Sequence, residues 1–216
     1  MPDGTVFLFD VDNTLLDNDA VAADLRAHLT EQFGDERQQR YWDEFEALRS
    51  DLGYADYLGA LQRFRVAYPH ETRMLEMSEW LLEYPFAERL YPKALDVVER
   101  TRAHGRPVIL SDGDVVFQPR KIRRSGLWDA FRGDVLVYIH KELELEDVER
   151  RYPAEHYALV DDKVRILAAV KEVWGDRVTT IFPRQGHYAH DAEQLARYPA
   201  PDVTVEHIGD VLKLER

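Results

Sequence analysis

The sequence predicts an α/β fold: a parallel sheet with helices on both faces and a bundle of helices inserted after the first strand. Three observations carry this. From about Pro92 onward, short segments rich in strand formers alternate with helical stretches, the pattern of right-handed βαβ units. The strand segments are nearly continuous in their apolar character, as in a sheet buried on both faces. Between the first two strands lie about 95 residues, where an ordinary crossover needs far fewer.

Taken in order, Thr5-Val6-Phe7-Leu8-Phe9 is the first strand and ends in the acidic stretch Asp10-Val11-Asp12-Asn13-Thr14. The insertion, about Asn18 to Ala87, reads as four amphipathic helices. Val21, Leu25, Leu29 and Phe33 share one face and stop at Gly34; Tyr41, Phe45, Leu48 and Leu52 share another and stop at Gly53. Tyr57, Leu58, Leu61 and Phe64 continue to Tyr68, before Pro69, and Leu75, Trp80, Leu81 and Tyr84 run up to Pro85. Stripes of this spacing bury against one another as a small bundle.

Helix Ala94 to His104 then stops at Gly105, Pro107 to Ser111 is the second strand, and helix Val115 to Ser125 stops at Gly126. Strand Asp134 to Ile139, helix Leu143 to Arg151, strand His156 to Val160, helix Lys163 to Trp174 and strand Arg177 to Phe182 follow, and a short strand Val203 to Val205 and a short helix finish the chain. The expected organisation is a Rossmann-like core over 1–17 and 88–216, with the helical insertion over 18–87 above the C-terminal edge of the sheet.

The 216 residues suffice for one well-buried core plus such an insertion. Hydrophobic residues at 45% and aromatics at 11% exclude a disordered chain. No apolar run approaches the roughly 20 residues of a membrane span, so no membrane partner is expected. Met1-Pro2-Asp3-Gly4 has neither a basic n-region nor an apolar stretch, from which a cytoplasmic location is expected. The absence of cysteine excludes disulfides and thiolate catalysis. A net charge of −13 disfavours nucleic acid as a partner, and it means that any phosphate chemistry here needs local positive charge from a metal or from placed Lys and Arg.

In an open parallel sheet, ligands bind outside the carboxyl ends of the strands. Four polar groups fall there: Asp10 and Asp12 after the first strand, Ser111 after the second, Lys141 after the third, and Asp161-Asp162 after the fourth. Of two carboxylates held close, one can act as nucleophile and the other as an acid, a division suited to phosphoryl transfer. Ser111 has no histidine beside it to make it a nucleophile. With the backbone N–H groups of the Asp112-Gly113 turn it suits binding of phosphate oxygens at a helix N-terminus, and Lys141 can hold a phosphate as a point charge. Adjacent acids ending a buried strand are costly unless compensated. A helix cap explains one of Asp161 and Asp162 but not both, whereas Mg²⁺ takes oxygen ligands of this kind, with Asp10 and Asp162 supplying such a set.

The ordered set Phe7-Leu8-Phe9-Asp10-Val11-Asp12-Asn13-Thr14-Leu15-Leu16, then Ser111-Asp112-Gly113, then Lys141, then Val160-Asp161-Asp162 resembles the four motifs of the haloacid dehalogenase-like superfamily. Gln118 to Trp128 resembles the helix after its second motif, and the insertion matches in position its α-helical cap of type C1. The resemblance implies that Asp10 forms an aspartyl-phosphate, and that Asp12 protonates the leaving alcohol and then activates water. It implies that Ser111 and Lys141 hold the phosphate, with the Asp112 turn beside them. Mg²⁺ would be ligated by Asp10, Asp162 and the backbone carbonyl of Asp12, with Asp161 supporting from beside it. Two positions depart from the pattern: Glu142 stands where the family often has proline, and Ile166 where it often has a further Asp.

Asp12 selects among the family's reactions. A halide leaves unprotonated, and family dehalogenases lack this second carboxylate, whereas an alkoxide needs an acid. Phosphonatases use a cap lysine, and Asn18 to Ala87 contains none. The expected function is a Mg²⁺-dependent phosphatase acting on a small phosphorylated metabolite; the alternatives are a phosphomutase on the same scaffold or a non-catalytic binding protein. Candidates to face the site from the cap are Asn18, Arg49, Tyr54, Tyr57 and Arg63. Gln185-Gly186-His187-Tyr188-Ala189-His190-Asp191 holds two His and an Asp that could bind metal, although loop histidines beside a short helix are the simpler reading.

Overall fold

Six strands, all paired in parallel, form one sheet in the order β3-β2-β1-β4-β5-β6 in the computed structural model, which describes residues 4–214. Met1, Pro2 and Asp3, on which the reading of the N-terminus partly rests, lie outside the described residues, as do Glu215 and Arg216. The strands are β1 (Thr5–Phe9), β2 (Gly105–Asp112), β3 (Val135–Tyr138), β4 (Tyr157–Val160), β5 (Val178–Pro183) and β6 (Val203–Val205). The cap helices are α1 (Asn18–Phe33), α2 (Asp35–Leu52), α3 (Tyr57–Ala67) and α4 (Met74–Glu83). The core helices are α5 (Ala94–Arg102), α6 (Phe117–Arg124), α7 (Leu127–Ala130), α8 (Leu145–Arg151), α9 (Val164–Trp174) and α10 (Ala192–Arg197). No helix among the described residues is long and apolar enough to cross a membrane.

The period-two alternation of β1 divides the interior. Val6 and Leu8 join one apolar cluster with Val108, Leu110 and Leu159, while Phe7 and Phe9 join a second with Ile109, Ala158 and Val160. The second cluster continues without a break into the cap, through Leu15, Leu16, Phe86 and Phe117 to Tyr57, Phe45 and Leu25. Ring contacts bridge the junction, with Tyr57 and Phe86 lying 5.1 and 5.8 Å from Phe117. The cap therefore shares its core with one face of the sheet.

The inserted helices start and stop largely where local chemistry directs. Asp17 caps α1, its carboxylate accepting from Ala20 N at 2.9 Å, and Asp56 caps α3 in the same way through Gly59 N at 2.6 Å. Gly53 ends α2 at φ 81°, in the left-handed conformation that favours glycine. One stripe differs from expectation. Leu75 is 77% exposed, and α4 instead buries Met74, Met77 and Leu81. Those three recur at helical spacing, and Leu75 lies about 100° around the helix from Met74. Leu52 is also exposed, and Trp80 is half-buried, stacked 4.7 Å from the His28 ring.

Element ends shift by a few residues. The second strand starts at Gly105 because Gly105 pairs with Thr5, where a side chain would run into the Thr5 carbonyl. Helix α8 begins at Leu145 after a separate 3₁₀ turn, Lys141–Leu143.

Candidate active site at the carboxyl edge of the sheet

Register brings the motif residues together. Phe9 pairs with Ile109 on one side and Val160 on the other, so β1, β2 and β4 run out at a common edge. Asp10 N donates to Val160 O at 2.9 Å, setting Asp10 beside the residues that follow β4. Asp10, Asp161 and Asp162 are all buried, and each offers a carboxylate oxygen within 4.8 Å of the others.

Lys141 joins this group as a fully buried cation. Its ammonium donates to Asp10 Oδ1 at 2.5 Å and to Leu110 O at 3.3 Å, and lies 2.6 Å from Asp161 Oδ2. Burial opposes its charge, but Asp10, Asp161 and Asp112 outweigh that and hold its pKa above the ordinary lysine value. Thr14 adds a neutral bridge, its hydroxyl donating to Asp10 Oδ2 at 3.3 Å and accepting from Asp162 N at 3.1 Å.

The adjacent acids divide by their partners. Asp161 Oδ1 accepts from Lys163 N at 2.8 Å, and its other oxygen faces Lys141. Both oxygens of Asp162 are buried without a hydrogen-bond partner, and burial pushes this carboxyl well above its usual range. An orphaned buried carboxylate is costly, and a divalent cation relieves that cost. The donor set is all oxygen, as Mg²⁺ requires, so these residues fit the metal. Strand alternation would send Asp161 and Asp162 to opposite sides, leaving only one within reach of Asp10. The structure differs because β4 ends at Val160, and the period-two rule does not extend into the loop.

Asp12 has a partner that no motif supplied. Lys121, from α6, donates to Asp12 Oδ1 at 2.7 Å, to Oδ2 at 2.9 Å, and to Asn18 Oδ1 at 3.0 Å. Its side chain is 1% exposed, yet from sequence it was one cation in a basic helix. Gln118, one turn earlier, donates to Ser111 Oγ at 3.0 Å and to Asp12 Oδ2 at 3.4 Å. A spacing of three on a helix that follows the second motif was the available signal for this pair. Asn18 Nδ2 in turn donates to the Tyr57 hydroxyl at 3.2 Å, so the chain of contacts from Asp12 runs into the cap.

The Asp112-Gly113 turn is engaged elsewhere. Asp112 Oδ1 accepts from Lys141 N at 2.7 Å, which fixes the backbone carrying that lysine, and Gly113 N donates to Tyr138 O at 2.9 Å. Burial raises the Asp112 carboxyl, with Lys141 pulling the other way. Two amides at the entry to α6 are also engaged, Val116 N and Phe117 N donating to Asp114 Oδ1 at 2.8 and 2.7 Å. Of the second and third motifs, the Lys141 ammonium meets Asp10 directly, and the Ser111 hydroxyl is linked to Asp12 through the Gln118 amide.

Above this floor, a cavity of about 890 Å³ opens between cap and core. Asn18, Arg49, Tyr54 and Tyr57 line it as expected, joined by Arg26, Trp42, Lys121 and Lys163. Arg63 does not line it, because its guanidinium lies 3.4 Å from Asp51 on the exposed side of the bundle. His187 ties the loop after β5 to the helical insertion: its backbone N and Nδ1 each lie 2.7 Å from an oxygen of Asp19, in the first turn of α1. Asp191 caps α10, and His187, His190 and Asp191 are not among the described groups close enough to hold a metal. Gln185 has a structural role, its amide donating to Asn13 O and Thr14 O at 3.2 and 3.0 Å and so holding the loop that carries Asp12.

Known structures share this fold. A haloacid dehalogenase-like hydrolase from Burkholderia xenovorans is 61% identical, with both chains covered in full and a TM-score of 0.94. The L-2-haloacid dehalogenase of Xanthobacter autotrophicus shares the fold at 20% identity, with 98% of each chain covered and a TM-score of 0.63. YfnB of Bacillus subtilis, a HAD hydrolase, does so at 16% identity, with the same coverage and TM-score. No curated protein matches the sequence. The haloacid dehalogenase-like hydrolase family model matches residues 5–173, from the first strand into the last turn of α9. A match of that length, with so similar a relative over the whole chain, makes this protein a member of the haloacid dehalogenase-like hydrolase family.

Proposed function

We propose that the protein is a Mg²⁺-dependent phosphatase that hydrolyses a small phosphorylated metabolite through an aspartyl-phosphate on Asp10. The observation that carries this reading is Asp12, a second carboxylate on the Asp10 loop, clamped by Lys121 at the edge of the cavity. Displacement of a halide has no use for an acid at that position, while cleavage of a phosphoester does. The relatives named as dehalogenases share the fold at about one-fifth identity and carry no weight on the reaction.

In the reaction, Asp10 attacks phosphorus, the bond to the leaving oxygen breaks, and Asp12 delivers a proton to that oxygen. Asp12 then takes a proton from water, which attacks phosphorus, breaks the acyl-phosphate bond and frees Asp10. Lys141 and Ser111 hold the phosphoryl oxygens, Lys141 with its backbone fixed by Asp112 and its ammonium by Asp161. Asp10 and Asp162 would hold Mg²⁺, with the Asp12 carbonyl, and the ion would offset the crowded negative charge of carboxylates and phosphate. The Bacillus subtilis relative is bound to magnesium. Asp161, committed to Lys141 and to Lys163 N, fits a supporting place.

The test is turnover of p-nitrophenyl phosphate and of alkyl phosphates with Mg²⁺, with and without chelator. Metal-dependent release of phosphate is the expected result. Phosphate release with none of the metals tried would overturn the reading, as would release of halide from 2-haloacids in its place.

A further inference from the structure

The cations that line the cavity fall into two sets. Lys121 is paired with Asp12, Arg49 with Glu46, Arg165 with Glu142 and His187 with Asp19. Among the described residues, Lys163 and Arg26 line the cavity without a carboxylate within ion-pair distance. Lys163 is accounted for by its place beside the acids of the floor, where its backbone N donates to Asp161 Oδ1 at 2.8 Å and its ammonium lies 5.3 Å from the centre of the Tyr188 ring. Arg26 is not. It belongs to α1, in a chain of net charge −13 where neighbouring cap arginines such as Arg37, Arg40, Arg63 and Arg73 all have a Glu or Asp partner.

The unpaired guanidinium is nonetheless held in place. It stacks over the Trp42 ring, 4.7 Å from its centroid. In the amide orientation that satisfies its neighbours, the buried Gln38 oxygen accepts from Arg26 at 2.8 Å and from Trp42 Nε1 at 3.0 Å. One face and one nitrogen are thus used for positioning, and other donors of the planar fork remain for a ligand. A fixed, unneutralised guanidinium on the wall of a cavity suits a planar or tetrahedral anion. The cavity is also far larger than a phosphoryl group needs and lies within the usual range for a complete small-molecule ligand.

We propose that the substrate is a phosphomonoester carrying a second anionic group, a carboxylate or a second phosphate, which Arg26 binds at the cap end of the cavity. This rests on the phosphatase reading for the chemistry at Asp10, but the anion site itself can be tested by binding alone. The probes are 3-phosphonopropionate, propane-1,3-bisphosphonate and propylphosphonate, titrated calorimetrically into the full-length protein with Mg²⁺. Wild type should bind one of the doubly anionic probes roughly ten- to hundredfold more tightly than propylphosphonate, as expected for a charge-assisted pair. Which probe gains decides between carboxylate and phosphate.

Arg26→Gln should shrink that gap to less than about threefold, and Arg26→Lys should keep only part of it, since an ammonium lacks the fork. Arg63→Gln, outside the cavity, should leave it unchanged. Equal binding of all three probes by wild type, or a gap that survives Arg26→Gln in a folded protein, would overturn the proposal. A preserved gap in a protein that turns over no phosphoester would sink the phosphatase reading and leave the anion site standing.

Discussion

The catalytic floor and the cap were built under different constraints. At the floor, Asp10, Ser111, Lys141, Asp161 and Asp162 are all buried, and each is set by the end of a strand whose register is fixed by its neighbours. Little there can change without leaving an uncompensated buried charge. In the cap, the side chains over the cavity sit on helix surfaces, and Arg49 and Glu46 remain about half exposed even as a pair. Exposed pairs of this kind contribute little to stability. On the proposed function, the chemistry would belong to the buried floor and selectivity to the cap side of the cavity.

Five substitutions, in four tests, probe that division. Asp10→Asn should lower turnover by about 10⁴-fold or more, because the amide is a poor nucleophile. The variant should still fold, because Asp161 remains 2.6 Å from the Lys141 ammonium, although its thermal unfolding midpoint should fall. Activity within tenfold of wild type, with deamidation excluded by mass spectrometry, would show that the floor does not supply the nucleophile.

Asp12→Asn should slow alkyl phosphates by roughly 10²- to 10⁴-fold and aryl phosphates less, since a phenolate leaves more readily. A burst measurement separates a slow second step from a slow first one. Equal losses in the burst phase for both classes would remove Asp12 as the acid.

Phe117→Ala tests how separate the two regions are. Phe117 is 1% exposed and contacts Tyr57 and Phe86 across the junction. Its truncation should cost about 3–5 kcal/mol in urea unfolding, with fluorescence and circular dichroism moving together. Two separated transitions would mean that the cap folds as its own unit despite the shared apolar cluster.

The smallest contrast lies between neighbours. Asp162→Ala should raise the Mg²⁺ concentration for half-maximal activity about tenfold more than Asp161→Ala does, as expected when a direct ligand is compared with an outer partner. The reverse order would make Asp161 the direct ligand.

Much of this was legible in the linear chain, for a physical reason. A parallel strand buried on both faces has a composition of its own, and a polar residue at its carboxyl end stands out against it. Asp10, Ser111, Lys141 and the Asp161-Asp162 pair could therefore be read from position. The helical insertion was equally plain, because an apolar stripe at helical spacing is a local property. The reading weakened where elements pack: α4 turns Met74 and Met77 inward rather than Leu75, and that choice depends on the neighbour it meets.

What the sequence by itself determined is the scaffold and the chemical inventory of the floor, since both follow from periodicity and from residue type at strand ends. What only the tertiary structure decided is which distant residues meet there. Lys121 lies 109 positions from Asp12, and Arg26 faces the same cavity from another helix. The helical spacing of Gln118 and Lys121 is a local signal, but which group each would meet is not, because burial and the loss of a counter-charge come only with folding. The different surroundings of Asp161 and Asp162 arose the same way: Asp161 meets the Lys141 ammonium, while both oxygens of Asp162 are buried without a hydrogen-bond partner.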